Sequence, residues 1–180
     1  MALNATLHHF EVQLADADRD VVQALEFKAA RHPSESASWL VARVLAYCLE
    51  YADGIAFSRG LSTPDEPVIA VRDLTGALVS WIEVGLPDAA RLHKAAKSAP
   101  RVAVYTHRDP LPWLRGLAGE RIHRADALEL YAFDRTLIAG LAERLERRMT
   151  LDLAVSEGHL YLSHGDAHFD GALASLALTD

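Results

Sequence analysis

A short apolar segment with one acid inside it constrains this chain more than any other feature. Val79–Gly85 reads Val-Ser-Trp-Ile-Glu-Val-Gly, which is typical of a buried strand with a tight exit. A carboxylate inside such a strand is costly unless it binds a cation or accepts hydrogen bonds. A predicted helix over residues 88–98 follows and carries Lys94 and Lys97, two of only three lysines in the chain. Because lysine is so scarce here, its position behind Glu83 is a clue to a site.

The composition predicts one globular domain over residues 1–180. Hydrophobic residues make up 51% of the chain and charged residues 24%, which are ordinary values for a protein with a real core. No apolar run is long enough to cross a bilayer, and the N-terminus lacks a signal-peptide pattern. Cys48 is the only cysteine and lies in an apolar helical pattern, so we expect a core residue and a cytoplasmic location. The net charge of −7 argues against a broad basic surface for nucleic acid, but not against a local basic groove.

The middle of the chain, about residues 33–106, predicts an α/β core with one mixed sheet. Its expected elements are a helix over 34–51, strands over 55–59, 68–72 and 77–84, a helix over 88–99 and a strand over 101–106. The three central strands should form a meander, because Asp73–Gly76 is a hairpin turn. The last strand arrives through a helical crossover and should therefore run parallel to its neighbour.

The two ends of the chain predict additions to this core. A strand over 2–14 changes the phase of its apolar residues, which indicates a bulge near His8–His9. Asp16 or Asp18 is expected to cap a helix that runs to about Ala30. The expected elements after the core are a short helix over 110–117, a strand over 127–133, a helix from Asp134 to about 147, a hairpin of 149–155 with 159–162, a solvated turn that includes His164 and His168, and a strand or tail over 173–178.

Acids gather in one part of the predicted core. Asp65 and Glu66 lie in the loop before the second strand and Glu83 lies in the third, with Lys94 on the next helix. Magnesium usually takes one or two carboxylates together with substrate phosphate and water. A metal held in this way lowers the pKa of water and stabilises charge that develops on a phosphate. The pattern therefore indicates a Mg²⁺ or Mn²⁺ site for phosphate chemistry, with a lysine to orient the water.

Several segments match one family in order along most of the chain. They are the N-terminal Met-Ala-Leu, Ala30–Glu35, Phe57–Leu61, Asp65–Pro67, Trp81–Asp88, Lys94-Ala95 and Val104–Thr106. By these segments the chain resembles the YaeQ family, small bacterial proteins whose fold resembles the PD-(D/E)xK nuclease superfamily. The resemblance implies a restriction-endonuclease-like core in the order α-β-β-β-α-β, a mixed sheet flanked by helices. An N-terminal strand and helix and a C-terminal hairpin would be additions to that core.

The resemblance also implies roles for individual residues. Glu83 matches the acid of the third-strand motif, and Lys94 matches the family lysine on the following helix. Glu35 matches an acid from which superfamily members reach the metal. Two positions depart from the pattern: Gly85 stands where the superfamily usually has its lysine, and Val68 stands where family sequences often have an acid.

Three functions fit these residues. In the leading hypothesis the chain hydrolyses phosphodiester bonds in nucleic acid, with Mg²⁺ or Mn²⁺ held by Glu83, by Asp65 or Glu66, and by Glu35, while Lys94 assists the attacking water. The candidate contacts to nucleic-acid phosphates are Arg59, Arg91 and Lys97.

The alternative hypothesis is a non-catalytic module that binds nucleic acid or a protein through a degenerate site, and Val68 and the negative net charge favour it. A third hypothesis is a structural or interaction protein with no nucleic-acid role. In that case Glu83 would only form an ion pair with Arg59 or Arg72. Lys94 would then point into solvent, because Leu92, Ala95 and Ala96 face the core.

Overall fold

The computed structural model describes residues 4–58 and 65–178, and they fall into two compact units. Unit 1 contains residues up to Val44 together with Phe133–Ala174, and unit 2 contains Leu45–Ala132 and the residues from Ser175 onward. The described residues form two mixed sheets and four α-helices. The mixed α/β class predicted from the sequence is therefore confirmed.

The bounds of the elements are as follows. The helices are α1 (Ala37–Leu49), α2 (Ala89–Ser98), α3 (Leu111–Leu117) and α4 (Arg135–Glu143). The strands are β1 (Thr6–Asp16), β2 (Val21–Arg31), β3 (Ile55–Phe57), β4 (Ile69–Arg72), β5 (Leu78–Val84), β6 (Arg101–Thr106), β7 (Glu129–Ala132), β8 (Arg148–Ser156), β9 (His159–His164), β10 (Ala167–Ala172) and β11 (Ala174–Leu176). The boundary between the units falls inside α1.

Unit 1 is built on a five-stranded sheet in the order β10-β9-β8-β1-β2. β1 pairs antiparallel with β2 and parallel with β8, and β8, β9 and β10 form antiparallel pairs. Phe10, Val12 and Leu14 of β1 are buried together with Leu151 and Leu153 of β8, and the residues between them are polar or exposed. One face of the sheet is thus apolar and the other is solvated, as is usual for sheets of this type.

The predicted helix from Asp16 or Asp18 to about Ala30 is wrong, because these residues form a hairpin. Asp16 Oδ1 accepts hydrogen bonds from the N–H groups of Asp18 and Arg19, so this carboxylate closes a turn instead of capping a helix. The register then runs without interruption from Thr6↔Arg31 to Asp16↔Val21. The predicted N-terminal addition of a strand and a helix is therefore a pair of strands.

The predicted bulge at His8–His9 is also wrong, since the β1–β2 register has no shift there. His8 occupies a buried position in the alternation, and its Nδ1 lies 2.9 Å from the carbonyl oxygen of Glu146. This hydrogen bond lets a polar ring replace an apolar residue on the inner face. At the other end of the chain, the predicted turn around His168 is partly a strand, β10, and α4 ends at Glu143 rather than near residue 147.

Unit 2 contains a six-stranded sheet in the order β11-β7-β6-β5-β4-β3. β3, β4 and β5 form an antiparallel meander, and β6 runs parallel to β5 after α2, as predicted. Leu92, Ala95 and Ala96 of α2 pack in one cluster with Trp81 of β5 and Val104 of β6. α2 therefore covers the face of the sheet that carries Trp81. In the part of the chain that the structure describes, no helix is long and apolar enough to span a membrane.

Candidate functional site

Glu83 lies on the face of β5 that α2 covers, and only 3% of it is exposed. Arg91 Nε donates to Glu83 Oε2 at 3.0 Å, and Arg91 Nη2 donates to Oε1 at 2.8 Å. The indole N–H of Trp81 donates to Oε1 at 2.7 Å. Both oxygens of the buried carboxylate thus accept hydrogen bonds, and Arg91 forms a bidentate ion pair with Glu83. Arg91 is the cation that the structure places at Glu83, whereas Arg72, one of the two predicted partners, donates to the carbonyl oxygen of Gly76.

The turn between β5 and α2 explains why Arg91 reaches Glu83. Gly85 has φ +101°, a left-handed conformation that glycine adopts without the steric cost of a Cβ atom. Asp88 then caps α2, because its Oδ1 accepts the N–H of Arg91 at 2.8 Å. Arg91 is therefore in the first turn of a helix that starts close to the end of β5. The turn between β5 and α2 thus gives a structural reason for a glycine at position 85.

Arg91 also connects the strand acid to the acidic loop. Its Nη2 donates to the backbone carbonyl of Glu66 at 2.8 Å, and its guanidinium lies 5.5 Å from the centroid of the Trp81 ring. A planar guanidinium with five N–H donors can make both contacts while it holds the carboxylate of Glu83 bidentately. One arginine therefore holds together β5 and the residues that precede β4.

Lys94 lies three residues after Arg91 on α2, a spacing that places two side chains on the same side of a helix. Its ammonium group donates to a carboxylate oxygen of Asp65, and this hydrogen bond lowers the pKa of Asp65. Both side chains are exposed. The predicted outward direction of Lys94 is confirmed, and the predicted loop acid Asp65 is the residue that it contacts.

Glu66 contributes to a cleft of about 340 Å³ in unit 2. The residues that line it are Ala56, Phe57, Ser58, Glu66, Pro67, Ala70 and Arg72. Arg72 donates to the carbonyl oxygen of Gly76 at 3.1 Å. The cleft therefore has an acid and a cation in its wall, at the ends of the strands that precede Glu83. Arg59, a predicted phosphate contact, lies outside the described residues.

The comparisons with known proteins identify the family. A family model described as "YaeQ protein" matches residues 1–172. The chain belongs to the YaeQ family. YaeQ of Escherichia coli strain K12 is 35% identical over 166 residues, which are 91% of this chain and 91% of that protein. The crystal structure of YaeQ from Pseudomonas syringae superimposes with a TM-score of 0.86 at 29% identity, covering 96% of each chain. YaeQ from Xanthomonas axonopodis pv. citri gives 0.85 at 27%, covering 97% of this chain and 99% of that one.

Glu35 belongs to unit 1, whereas the other predicted metal ligands of this YaeQ protein belong to unit 2. Its Oε2 lies 3.9 Å from Nη2 of Arg43, and both side chains are buried. Burial raises the pKa of Glu35, and the charge of Arg43 opposes that effect. The metal-binding role of Glu35 stays a prediction.

Lys97 lines a different cleft of unit 2, with a volume of about 790 Å³. The other residues of its wall are Ala89, Ala90, His93, Glu120, Arg121, Ile122 and His123. Nδ1 of His93 accepts the backbone N–H of His123 at 3.0 Å. Of the three predicted phosphate contacts, Arg91 binds Glu83, Lys97 lines this second cleft, and Arg59 lies outside the described residues, so their common role stays a prediction.

The sequence hypotheses missed a second, partly buried ion-pair network in unit 2. Arg101 binds the carboxylates of Glu50 and Glu129 through four hydrogen bonds of 2.5–3.1 Å. The hydroxyl of Tyr105 donates to Glu50, and that of Tyr131 donates to Glu129. Burial and the charge of Glu129 raise the pKa of Tyr131 to about 12. An arginine at the start of the apolar strand β6 was the available signal, by the same reasoning that singled out Glu83.

Proposed function

We propose that the chain is a metal-dependent, nuclease-like protein of the PD-(D/E)xK type that hydrolyses phosphodiester bonds in nucleic acid. The observation that supports this proposal is the arrangement along α2. Arg91 and Lys94 lie three residues apart and bind Glu83 and Asp65, so two acids and two cations share one side of the helix. A buried acid, a loop acid and a lysine are the groups that this chemistry requires.

Glu83, Asp65 and Glu66 have the carboxylate oxygens that a divalent ion takes, but in the described residues they do not form a group of three ligands within 4.8 Å of one another. Glu83, Asp65 and Glu66 would hold Mg²⁺ or Mn²⁺ after Arg91 and Lys94 have turned away from the carboxylates and the acidic loop has moved toward Glu83. The metal would supply a water of lowered pKa and positive charge against the phosphate. Lys94 would then orient that water. Arg91, released from Glu83, would bind phosphate oxygens in the same bidentate way that it now binds the carboxylate.

A nicking assay on supercoiled DNA and on labelled RNA tests the proposal. We expect cleavage with Mg²⁺ or Mn²⁺ and none after chelation. Glu83→Gln and Lys94→Ala should each lower the rate by roughly 100-fold or more, because the metal and the positioned water act together. Lys94→Arg should not restore the rate, since a planar fork does not replace a compact ammonium.

Arg115→Ala is the matched control, because this exposed arginine lies on α3 and is not among the proposed residues. Cleavage that survives unchanged in Glu83→Gln would come from a contaminating enzyme and would refute the proposal.

The second candidate function is a non-catalytic module that binds nucleic acid. Its specific support is that both oxygens of Glu83 are engaged by Arg91 and Trp81, and that Val68 offers no carboxylate beside them. This function predicts salt-sensitive binding to DNA or RNA without cleavage. Absence of both binding and cleavage, across single- and double-stranded DNA and RNA, would leave the interaction-protein hypothesis.

A further inference from the structure

Three potential metal ligands meet on the solvated face of the sheet of unit 1. They are His9 and Glu11 of β1 and Glu26 of β2, and one ligand atom from each lies within 4.8 Å of the other two. His9 Nε2 is 3.0 Å from Glu26 Oε1. His9 and Glu11 share a face because side chains alternate along a strand, and Glu26 lies directly opposite Glu11 in the register. The strand pairing therefore creates this cluster, which is far from Glu83 in the sequence and belongs to the other unit.

The pairing of Glu11 with Glu26 has an energetic consequence. Like charges that are directly opposite on antiparallel strands destabilise the pair, unless a cation lies between them. His9 is across from Lys28 on β2 and from Arg148 on β8, so two cations lie at the His9 end of the cluster. Their presence lowers the attraction for a distant cation. Affinity must then come from direct coordination by the imidazole nitrogen and the two carboxylates.

We propose that His9, Glu11 and Glu26 form a binding site for a divalent transition-metal ion, in the first place Zn²⁺. Zinc accepts imidazole nitrogen and carboxylate oxygen at about 2.0–2.2 Å, and three protein ligands leave a fourth position for water or another ligand. An imidazole ligand favours zinc and cobalt over the oxygen-seeking Mg²⁺ and Ca²⁺. The proposal does not depend on the nuclease-like function.

The distances are compatible with such coordination. Tetrahedral bonds of about 2.0–2.1 Å separate the ligand atoms by roughly 3.3 Å. His9 Nε2 and Glu26 Oε1 are already 3.0 Å apart, and the whole cluster lies within 4.8 Å. The remaining change of about 1.5 Å is within the reach of glutamate rotamers, since the side chain of Glu26 is 69% exposed.

Calorimetric titration of the untagged, metal-free full chain with Zn²⁺ tests the site, with Co²⁺ as a probe whose visible absorption reports its coordination. We expect one saturable Zn²⁺ per chain, a higher melting temperature with Zn²⁺, and no comparable effect of Mg²⁺ at this site. His9→Gln, Glu11→Gln and Glu26→Gln should each lower the Zn²⁺ affinity by about 10-fold or more, because each removes one ligand. All three changes lie on a solvated face, and circular dichroism shows whether each variant is folded.

The controls separate this site from the other metal hypothesis and from stray histidines. Glu143→Gln and His168→Gln change exposed residues of unit 1 and should leave Zn²⁺ affinity unchanged. Glu83→Gln should also leave it unchanged, so that failure of the nuclease proposal and failure of this one give different results. Zn²⁺ affinity that is equal in wild type and in the three ligand variants would overturn the proposal. Loss in His9→Gln without any loss in the two glutamate variants would also overturn it, since that result describes a lone surface histidine.

Discussion

Removal of Arg91 should destabilise the protein more than neutralisation of Glu83, although the two residues form one ion pair. The side chain of Glu83 is 4% exposed and that of Arg91 is 25% exposed. Arg91→Ala therefore leaves a buried carboxylate with Trp81 as its remaining described donor, and an uncompensated buried charge of this kind costs about 3–5 kcal/mol. Glu83→Gln keeps an acceptor for the indole and leaves a guanidinium that water can reach. We expect a loss of about 1–2 kcal/mol for that variant.

The double variant Glu83→Gln/Arg91→Ala tests whether the losses come from the ion pair itself. Once residue 83 is neutral, removal of Arg91 no longer leaves a buried charge, so the combined loss should be smaller than the sum of the single losses. A coupling energy of about 2–3 kcal/mol is expected for groups in direct contact within one network. Such non-additivity would come from the pair itself and not from a general weakening of α2.

Urea unfolding followed by tryptophan fluorescence measures these values. In a Trp39→Phe background the fluorescence comes from Trp81 and Trp113, both in unit 2, so the signal reports the unit that contains the pair. Arg115→Ala controls for the loss of an exposed helical arginine, and unchanged m-values would show that the transitions are comparable. A loss below about 1 kcal/mol for Arg91→Ala, or strictly additive losses, would refute the reasoning because a buried pair cannot behave in that way.

Three further predictions follow from the protonation and burial of single groups. Lys94→Ala should raise the pKa of Asp65 toward its ordinary value, as measured by carboxyl NMR. The urea midpoint should not change, because both side chains of the pair are exposed. An unchanged pKa of Asp65 would show that the contact is not populated. Burial raises the pKa of Glu129, but its hydrogen bond to Arg101 outweighs this effect, so the net pKa is lowered. The stability that wild type has over Glu129→Gln should therefore be present above pH 4.5 and should vanish as the pH falls through the pKa of Glu129 in the folded protein. A stability difference that is constant with pH would contradict this. Burial raises the pKa of Cys48 to about 12, so Ellman's reagent should react with it only after unfolding, and rapid reaction in the native protein would contradict its burial.

The core of unit 2 could be predicted because its signals are local. Gly54, the Pro87-Asp88 pair and Pro100 mark the ends of elements, and the apolar spacing changes from helical to alternating between them. The predicted strand over 101–106 agrees with β6, and the predicted start of a helix at Pro87-Asp88 agrees with α2. Where the glycines and prolines indicate the same element boundaries as the apolar periodicity, the tertiary contacts agree with the local prediction.

The hairpin of unit 1 could not be predicted in the same way. Asp16 has the side chain of a helix cap, and the same carboxylate can close a turn instead. The alternation that favours β2 is limited to Leu25, Phe27 and Ala29, which lie among alanines that suit a helix. Pairing with β1 decided the outcome, and that pairing is a contact along the whole length of both strands that no short window contains.

In the candidate site, too, the features set by neighbouring residues could be predicted, and a contact set by the path of the chain could not. The burial of Glu83 followed from its apolar neighbours, and the outward direction of Lys94 followed from the buried positions of Leu92 and Ala95. The partner of Glu83 did not follow, because Arg91 reaches it only through the left-handed turn at Gly85. A positive φ at one glycine thus determined which cation meets the acid.

The position of Arg91 also provides a direct way to separate the two proposed functions. A guanidinium and a divalent ion compete for the same carboxylate of Glu83, so metal can bind there only when Arg91 leaves. In a nuclease, a phosphate that attracts Arg91 would open Glu83 to the metal, and by thermodynamic reciprocity the metal would strengthen nucleic-acid binding by the same factor.

We therefore expect Mn²⁺ affinity at Glu83 to rise when a non-cleavable phosphorothioate oligonucleotide is present, measured in a His9→Gln background so that the site of unit 1 does not contribute. Arg91→Met should abolish this coupling and should increase the Mn²⁺ affinity of the free protein, because the competing cation is gone. In a non-catalytic module neither the oligonucleotide nor Arg91→Met would produce Mn²⁺ binding, since a single buried carboxylate is a poor ligand set for that ion. Equal Mn²⁺ affinity with and without the oligonucleotide in an otherwise active enzyme would show that Arg91 does not control access to Glu83.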